Sequence, residues 1–268
     1  MRFLIHSFAV LFLFTGLAAH AQDLTIVSRE THDGGPPETT VNYISSEHVR
    51  MSHGEGQEAI VDFKSGAMTT LDTKKKTYFV TTRADMDALA AKMQEQMNSP
   101  EMKKMQEQMK NVPAAQRQKM DSGMDAMFTV DVRDLGTTRK IAGYTCENWK
   151  MDMGQYSKSE SCLTNELKFP VQAFEMYRGF SDSMKSMTTA FGPMAKSAAK
   201  MQEQFKKMKG YPLASTSTTD IMGHKSVIVS EVTEVRRGAI PASAWQVPAG
   251  YTKVDNPMLR ALQAHSRR

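Results

Sequence analysis

The chain has 268 residues with 34 Lys or Arg and 29 Asp or Glu, which gives a formal net charge of +5 at pH 7. This basic excess is mild and is spread along the chain. It therefore lacks the clustered basic surface that nucleic-acid binding requires, and we expect no nucleic-acid partner. The length and the 40% of hydrophobic residues are sufficient for one large domain with a substantial core.

The N-terminus has the three parts of a secretory signal peptide. A basic start at Met1-Arg2 precedes an apolar run over residues 3–17, and Ala19-His20-Ala21 supplies a small-residue cleavage site. The following residue, Gln22, is not the cysteine of a lipoprotein. We predict that residues 1–21 are removed and that the remaining protein is periplasmic and not lipidated. Simple anchoring through the uncleaved apolar run is the alternative.

The chain contains two cysteines, Cys146 and Cys162, and an oxidising compartment favours a disulfide between them. Gly154 lies midway between the two, so a hairpin that turns there places one cysteine directly opposite the other. Closing this loop contributes about 3 kcal/mol. The pair has no CxxC spacing and no further ligand cluster beside it, which favours a structural role over a redox or metal-binding one.

The first part of the chain is predicted to form an antiparallel meander. Short runs of β-branched and aromatic residues alternate with Gly, Asp, Ser or Lys at the turns, as expected for strands with tight connections. Many positions alternate between apolar and polar residues, which is typical of a sheet with one solvated face. The predicted strands are 24–27, 40–44, 48–51, 59–63, 68–71 and 77–80.

The segment 84–127 changes to helical periodicity. One apolar stripe runs from Met86 to Met97. Ser99-Pro100 then resembles an N-cap followed by proline in the first helical turn, and Pro113 begins a third helix. This segment is a helical insertion into the sheet.

Strand patterns return at 128–135, 140–151, 157–164, 213–221, 225–235 and 245–254. Between them, residues 171–209 carry two apolar stripes at steps of three and four, divided by Gly192-Pro193, which must break or kink the helix. We predict one α+β domain over residues 22–255, with helical insertions at 84–127 and 171–209. The basic tail at 256–268 is predicted to be disordered.

Four sequence phrases together resemble an exported bacterial family known only as a domain of unknown function, whose architecture is similar to that of the periplasmic lipoprotein carriers (LolA- and LolB-like). The phrases are Glu47-His48-Val49-Arg50-Met51, Ala142-Gly143-Tyr144-Thr145-Cys146, Tyr211-Pro212-Leu213, and Ile240-Pro241-Ala242 running on to Trp245-Gln246-Val247-Pro248-Ala249-Gly250-Tyr251. The resemblance implies a strongly curved antiparallel half-barrel of about eleven strands with helices on its concave face. In the carriers, the apolar space between sheet and helices receives acyl chains.

The 22 methionines, most of them on the helical stripes, admit three interpretations. Methionine fills irregular interfaces between helices and a curved sheet, and it also lines adaptable apolar grooves for lipid, acyl chains or a partner's apolar segment. Thioethers bind Cu(I) as well, and the spacings of Met93/Met97, Met102/Met105/Met109 and Met120/Met124 are compatible with a shared ion. The groove interpretation assigns ligand binding to Phe180, Met184, Met187, Phe191, Met194, Met201, Phe205 and Met208.

No enzymatic motif is present. The sequence contains no GxSxG, no HExxH and no phosphate-binding glycine loop, and the histidines are scattered. We therefore predict no catalytic residue, no metal site and no cofactor. Trp149 and Trp245 are interpreted as core anchors, with a groove-lining role as the alternative. The favoured function is a non-enzymatic periplasmic binding or carrier protein for a lipid-like or apolar ligand. The alternatives are an envelope scaffold that binds a protein partner and no small ligand, and a Met-rich Cu(I)-binding protein. Peripheral contact with a membrane is compatible with these functions.

Overall fold

The structure is a computed structural model that describes residues 23–52, 54–110, 112–113, 129–169, 200–201, 203–221 and 223–260. The predicted signal peptide, the predicted helix after Pro113 and the predicted site residues from Phe180 to Met194 lie outside these ranges.

In the described part of the chain, twelve strands form one open sheet in the order β12-β6-β5-β4-β3-β2-β1-β11-β10-β9-β8-β7. All neighbouring strands are antiparallel except β12, which runs parallel to β6. The predicted antiparallel sheet of an α+β protein is thus confirmed in its main part, but the whole sheet is mixed. The strands are β1 (Leu24–His32), β2 (Glu38–Ile44), β3 (His48–Ser52), β4 (Gln57–Asp62), β5 (Ala67–Asp72), β6 (Thr77–Thr81), β7 (Val130–Ile141), β8 (Tyr144–Met153), β9 (Ser157–Thr164), β10 (Tyr211–Ile221), β11 (His224–Arg237) and β12 (Thr252–Lys253).

The predicted last strand, 245–254, is mostly wrong. Ala242–Trp245 forms a short 3-10 helix, and only Thr252–Lys253 pairs with β6. Pro248 explains much of the difference, because it lies inside the predicted strand and lacks the backbone N–H that a continuous ladder needs.

The two faces of the sheet follow from strand register, because residues directly opposite one another point to the same side. Leu24, Ile44, Val49 and Val61 form one such row across β1 to β4. All four are at most 8% exposed, and three of them belong to the main core cluster. We call the side that carries this row the inner face, and the opposite side the outer face.

Residues 238–253, here called the C-terminal strap, connect β11 to the far edge of the sheet. The Gly238 N–H donates to the Asp23 carbonyl at 3.0 Å where the strap begins. An Arg50 Nη donates to the Ala244 carbonyl at 2.9 Å, and Arg50 lies on the outer face because its neighbour Val49 is on the inner one. The strap therefore crosses the outer face before β12 joins β6.

The chain then passes around the edge of the sheet to the inner face. The Val254 N–H donates to the Tyr78 carbonyl at 2.8 Å, and Asn256 Nδ2 donates to the Thr81 hydroxyl at 2.9 Å. Asn256 is buried and residues 257–260 are helical. The predicted disordered tail thus begins too early at 256, while residues 261–268 lie outside the described part of the chain.

The predicted disulfide is confirmed, with the Cα atoms of Cys146 and Cys162 5.2 Å apart and both side chains buried. The predicted register is wrong, because Cys162 lies opposite Asn148 and not opposite Cys146. The turn uses Gly154 but is centred one residue later, so the bond joins diagonal positions of the β8–β9 hairpin.

Two helices of the predicted insertion are described, α1 (Arg83–Met97) and α2 (Pro100–Lys110). Thr82 and Asp85 form a reciprocal capping box at the start of α1, and the Met102 N–H donates to the Ser99 hydroxyl at 3.2 Å, as the predicted cap of α2 requires. Among the described side chains of α1 none is buried, and Met86 is 46% exposed. Packing of these helices on the sheet, which their methionine stripes suggest, remains a prediction.

Candidate functional site

The inner face of β7 to β11 is lined by apolar and hydroxyl side chains. Register places them in three transverse rows, in which each residue lies opposite the next. The rows are Val130–Met153–Ser157–Thr219–Ser226, Val132–Met151–Ser159–Ser217–Ile228–His32, and Asp134–Trp149–Ser161–Ser215–Ser230–Glu30. Charged or titratable groups occur only at the ends of these rows, so the middle of the face carries no charge.

Directly behind these three rows, the outer face of the same strands is highly charged. Arg133 pairs with Asp152 at 2.7 Å and with Asp131 at 2.9 Å, and Lys150 lies 3.3 Å from Glu160. These residues alternate in sequence with the uncharged ones, for example in Ser157-Lys158-Ser159-Glu160-Ser161. The alternation identifies the outer side as solvated and the inner side as the one available for packing or binding.

Hydroxyl groups set the chemistry of the inner face. Ser159, Ser161, Ser215 and Ser217 are each half-buried, and the hydroxyls of Ser159 and Ser161 lie 3.4 Å apart. Covering a hydroxyl without giving it a hydrogen bond costs roughly 1–3 kcal/mol. A molecule that lies here must therefore offer polar atoms to the serines and apolar surface to the flanking valines and methionines.

Glu30 and His32 end two of the rows on β1. The His32 Nε2 and Glu30 Oε1 atoms are 2.6 Å apart, and the two side chains are 20% and 13% exposed. Gly54 lies directly above this pair, since a Cβ added there would come within 2.5 Å of both atoms. Any larger residue at this position would displace the pair, so the glycine is required by the close approach as well as by its φ of 70°.

The predicted ligand-binding residues fall into two groups. Met201 and Met208 are half-buried, and Phe205 is 37% exposed. The other five, Phe180, Met184, Met187, Phe191 and Met194, lie outside the described residues. Their assignment remains a prediction.

The residues that carried the family resemblance have packing roles. His48 and Trp245 stack with ring centroids 5.2 Å apart, and Tyr43 meets Trp245 edge-on at 6.2 Å. Tyr144, Cys146, Tyr211 and Leu213 belong to or pack against the main core cluster. Trp245 is thus an anchor of the strap, while Trp149 lies in the third inner row.

The described part of the chain contains no cluster of metal-binding side chains. No three His, Cys, Asp or Glu side chains there are placed to hold a metal ion together. In the same part of the chain, no helix has the length and hydropathy needed to cross a membrane.

Sequence reasoning missed the uncharged inner face. Its signal was present in the alternation of serine with charged residues at 157–161 and in the hydroxyl-rich run at 215–219. Serine and threonine are ordinarily assigned to turns and caps, and this preference obscured the period of two.

Comparison with known proteins identifies a family but no function. The family model described as "Domain of unknown function (DUF4412)" matches residues 67–251, which is more than half of the chain. This match confirms the resemblance to a domain of unknown function. No curated protein matches the chain by sequence.

Several solved structures are similar at low identity. PNGF-II has 12% identity and a TM-score of 0.38, with 92% of this chain and 34% of that chain covered. The MucA/MucB complex from Pseudomonas aeruginosa has 14% identity, a TM-score of 0.37 and coverage of 86% and 56%. A LolA-superfamily protein from Nitrosomonas europaea has 7% identity, a TM-score of 0.16 and coverage of 85% and 90%. The chain thus spans about a third of PNGF-II and about half of the matched MucA/MucB chain, and these similarities carry no inference about function.

Proposed function

This chain belongs to the DUF4412 family, a domain of unknown function, and we propose that it is a non-enzymatic periplasmic binding protein for a lipid-like ligand. The ligand lies on the inner face of β7 to β11. The observation that carries the proposal is the contrast between the two sides of these strands: the outer side is charged, while the middle of the inner side carries hydroxyl and apolar groups alone.

The lining favours an amphiphile over a pure hydrocarbon. Val130, Val132, Met151 and Met153 lie at the β7–β8 end of the rows and provide apolar contact for an acyl chain. The serines of β9 and β10 provide donors and acceptors for a polar head. A ligand with both parts satisfies both regions without leaving a hydroxyl unpaired.

The stripes between Val171 and Lys209 complete the site in this proposal. Phe180, Met184, Met187, Phe191, Met194, Met201, Phe205 and Met208 supply the second apolar wall, because flexible thioether side chains adapt to acyl chains of different length.

A charge placed on either side of one strand tests the proposal. Ser217→Lys puts an ammonium group into the middle of the inner face, whereas Thr218→Lys puts the same group on the charged outer face of β10. We expect the first variant to lose binding of cis-parinaric acid, a fluorescent fatty acid, and the second to bind it as the parent does. Circular dichroism of both variants establishes that the sheet is retained.

Native mass spectrometry after detergent-free purification provides the second measurement. We expect a phospholipid or acylated species to accompany the protein in near-stoichiometric amount, and the triple change Met184→Gln, Met187→Gln, Met201→Gln to remove it. Equal binding by the two lysine variants would contradict the inner-face site. A ligand-free mass together with no parinaric acid binding would contradict the proposed function itself.

A further inference from the structure

A pocket lies at the opposite end of the inner face from the proposed lipid site, between the edge of the sheet and the chain that follows the strap. Its volume is about 370 Å³, and it is lined by Gln57, Thr70, Asp72, Lys75, Thr77, Phe79, Val254, Asp255, Pro257 and Arg260. This volume is at the lower end of the range of small-molecule sites, roughly 300–1,000 Å³. The pocket is separated from the proposed lipid site by the buried row that begins at Leu24.

The floor of the pocket consists of two rows of the sheet. Gln57, Asp72 and Thr77 lie opposite one another across β4, β5 and β6, and Thr70 lies opposite Phe79 in the next row. Backbone ladders fix all five positions, so their polar groups point into the pocket from a rigid surface. The floor combines an amide, two hydroxyls, a carboxylate and one aromatic ring.

The wall is fixed as well. The Val254 N–H donates to the Tyr78 carbonyl, and the buried side chain of Asn256 donates to the Thr81 hydroxyl and accepts the Met258 N–H at 3.0 Å. These bonds hold Asp255, Pro257 and Arg260 over the floor. The pocket is therefore built by the folded chain and does not depend on a loose end.

The charges of the lining balance. The pocket has two acidic groups, Asp72 and Asp255, and two basic groups, Lys75 and Arg260. Asp72 and Lys75 already pair, with Lys75 Nζ at 3.0 Å from an Asp72 oxygen. The backbone N–H of Lys75 lowers the pKa of Asp72, so this carboxylate remains an acceptor at neutral pH. Such a lining gives no net attraction for an anion or a cation.

We propose that this pocket binds a neutral saccharide of one or two rings. A polyhydroxylated ligand offers donors and acceptors together, which suits the amide of Gln57 and the hydroxyls of Thr70 and Thr77. The charged side chains of the floor and of the wall can form charge-assisted hydrogen bonds with the hydroxyl groups of a neutral ligand. Phe79 provides a flat apolar surface for the C–H face of a sugar ring.

Saturation-transfer NMR on the full-length protein tests the site with four probes that carry C–H protons: cellobiose, N-acetylglucosamine, the zwitterion glycyl-phenylalanine and the anion methyl phosphate. We expect saturation transfer to a sugar and none to the two charged probes. Phe79→Leu retains apolar volume but removes the ring face, and we expect it to weaken sugar binding roughly three- to tenfold.

Arg260→Gln provides a surface variant that leaves the core unchanged, and Arg237→Gln on β11 is its matched control. We expect the first to weaken sugar binding and the second to leave it unchanged. Binding of neither sugar would overturn the proposal, and so would saturation transfer to glycyl-phenylalanine or methyl phosphate alone. Sugar binding that is insensitive to both Phe79→Leu and Arg260→Gln would place it elsewhere and overturn the assignment of this pocket.

Discussion

The half of the sheet formed by β2 to β6 is buried on both faces at β4, whereas the half formed by β7 to β11 has a charged outer face opposite its three inner rows. In β4, three consecutive residues, Ala59, Ile60 and Val61, are buried. In β7, Val130 and Val132 are buried while Asp131 between them is exposed. The C-terminal strap accounts for the difference, because it supplies a second layer over β3 that the charged outer face of the longer strands lacks.

This difference indicates where each half obtains its stability. The shorter strands gain burial from a segment distant in sequence, and the longer ones depend on hairpin pairing, surface ion pairs and the disulfide. Surface ion pairs contribute little, about 0–1 kcal/mol each. The strap lies on the outer face of the shorter strands, so it does not occupy the uncharged inner face of β7 to β11.

Of the changes that test this difference between the two halves, removing the disulfide should have the largest effect on stability. We expect Cys146→Ala with Cys162→Ala to lower the free energy of unfolding by about 3 kcal/mol, since the bond closes a loop with a sequence separation of 16. The two tryptophans report on the two halves in urea unfolding: Trp149 lies in β8 and Trp245 in the strap.

Single-tryptophan backgrounds, made with Trp245→Phe or Trp149→Phe, separate these signals. Residues of both halves share one core cluster, so we expect both transitions to move together when the disulfide is removed. A shift seen by Trp149 alone would show that the halves unfold independently.

Trp245→Ala tests the other half. The change removes the stacking on His48 and the edge contact with Tyr43, and we expect a loss of about 2 kcal/mol in unfolding free energy. Trp149→Ala is the matched control, because among the described residues no aromatic ring contacts Trp149. An equal loss of unfolding free energy in both variants, measured by circular dichroism in urea, would mean that the contacts of Trp245 with His48 and Tyr43 do not stabilise this half of the sheet.

The sequence could predict the strands of both halves because their signals are local. Alternation and turn residues located β1 to β6, the β8–β9 hairpin and the β10–β11 hairpin, and cysteine count with compartment predicted the disulfide. The strap could not be predicted this way. The hydrogen bond between Arg50 and the Ala244 carbonyl joins residues 194 positions apart in sequence. The segment after Trp245 also has a strand-like pattern, and only its proline argues against a strand.

The candidate site was only partly accessible to sequence reasoning. The methionine stripes have a strong helical period and directed attention to residues 171–209, whereas the inner rows arise only when five strands are placed in register. No single strand shows that Ser161, Ser215 and Ser230 share a face. Rows that run across several strands depend on which strands pair and in which register, and the local pattern of one strand does not contain this information.

The junction of the two halves offers the smallest and most specific test. Tyr211 at the start of β10 packs on Phe169 at 5.3 Å, and it hydrogen-bonds the Asn42 side chain of β2. Burial raises the pKa of Tyr211 above its usual value of 10.0. The neutral phenol therefore contributes stability that is fully present below pH 10.0 and is lost as the pH rises through the folded-state pKa.

Tyr211→Phe should separate the contribution of the hydrogen bond to Asn42 from that of burying the neutral phenol. At neutral pH we expect the variant to be about 1 kcal/mol less stable, because the hydrogen bond between Tyr211 and the Asn42 side chain is lost. Above pH 10.0 the parent should lose stability more steeply than the variant, since phenylalanine has no proton to release in the unfolded state. The difference between their urea midpoints should therefore narrow with rising pH. Tyr156→Phe in the β8–β9 turn controls for the general loss of a tyrosine, and a constant difference between the parent and Tyr211→Phe would show that Tyr211 does not bury its hydroxyl between the two halves.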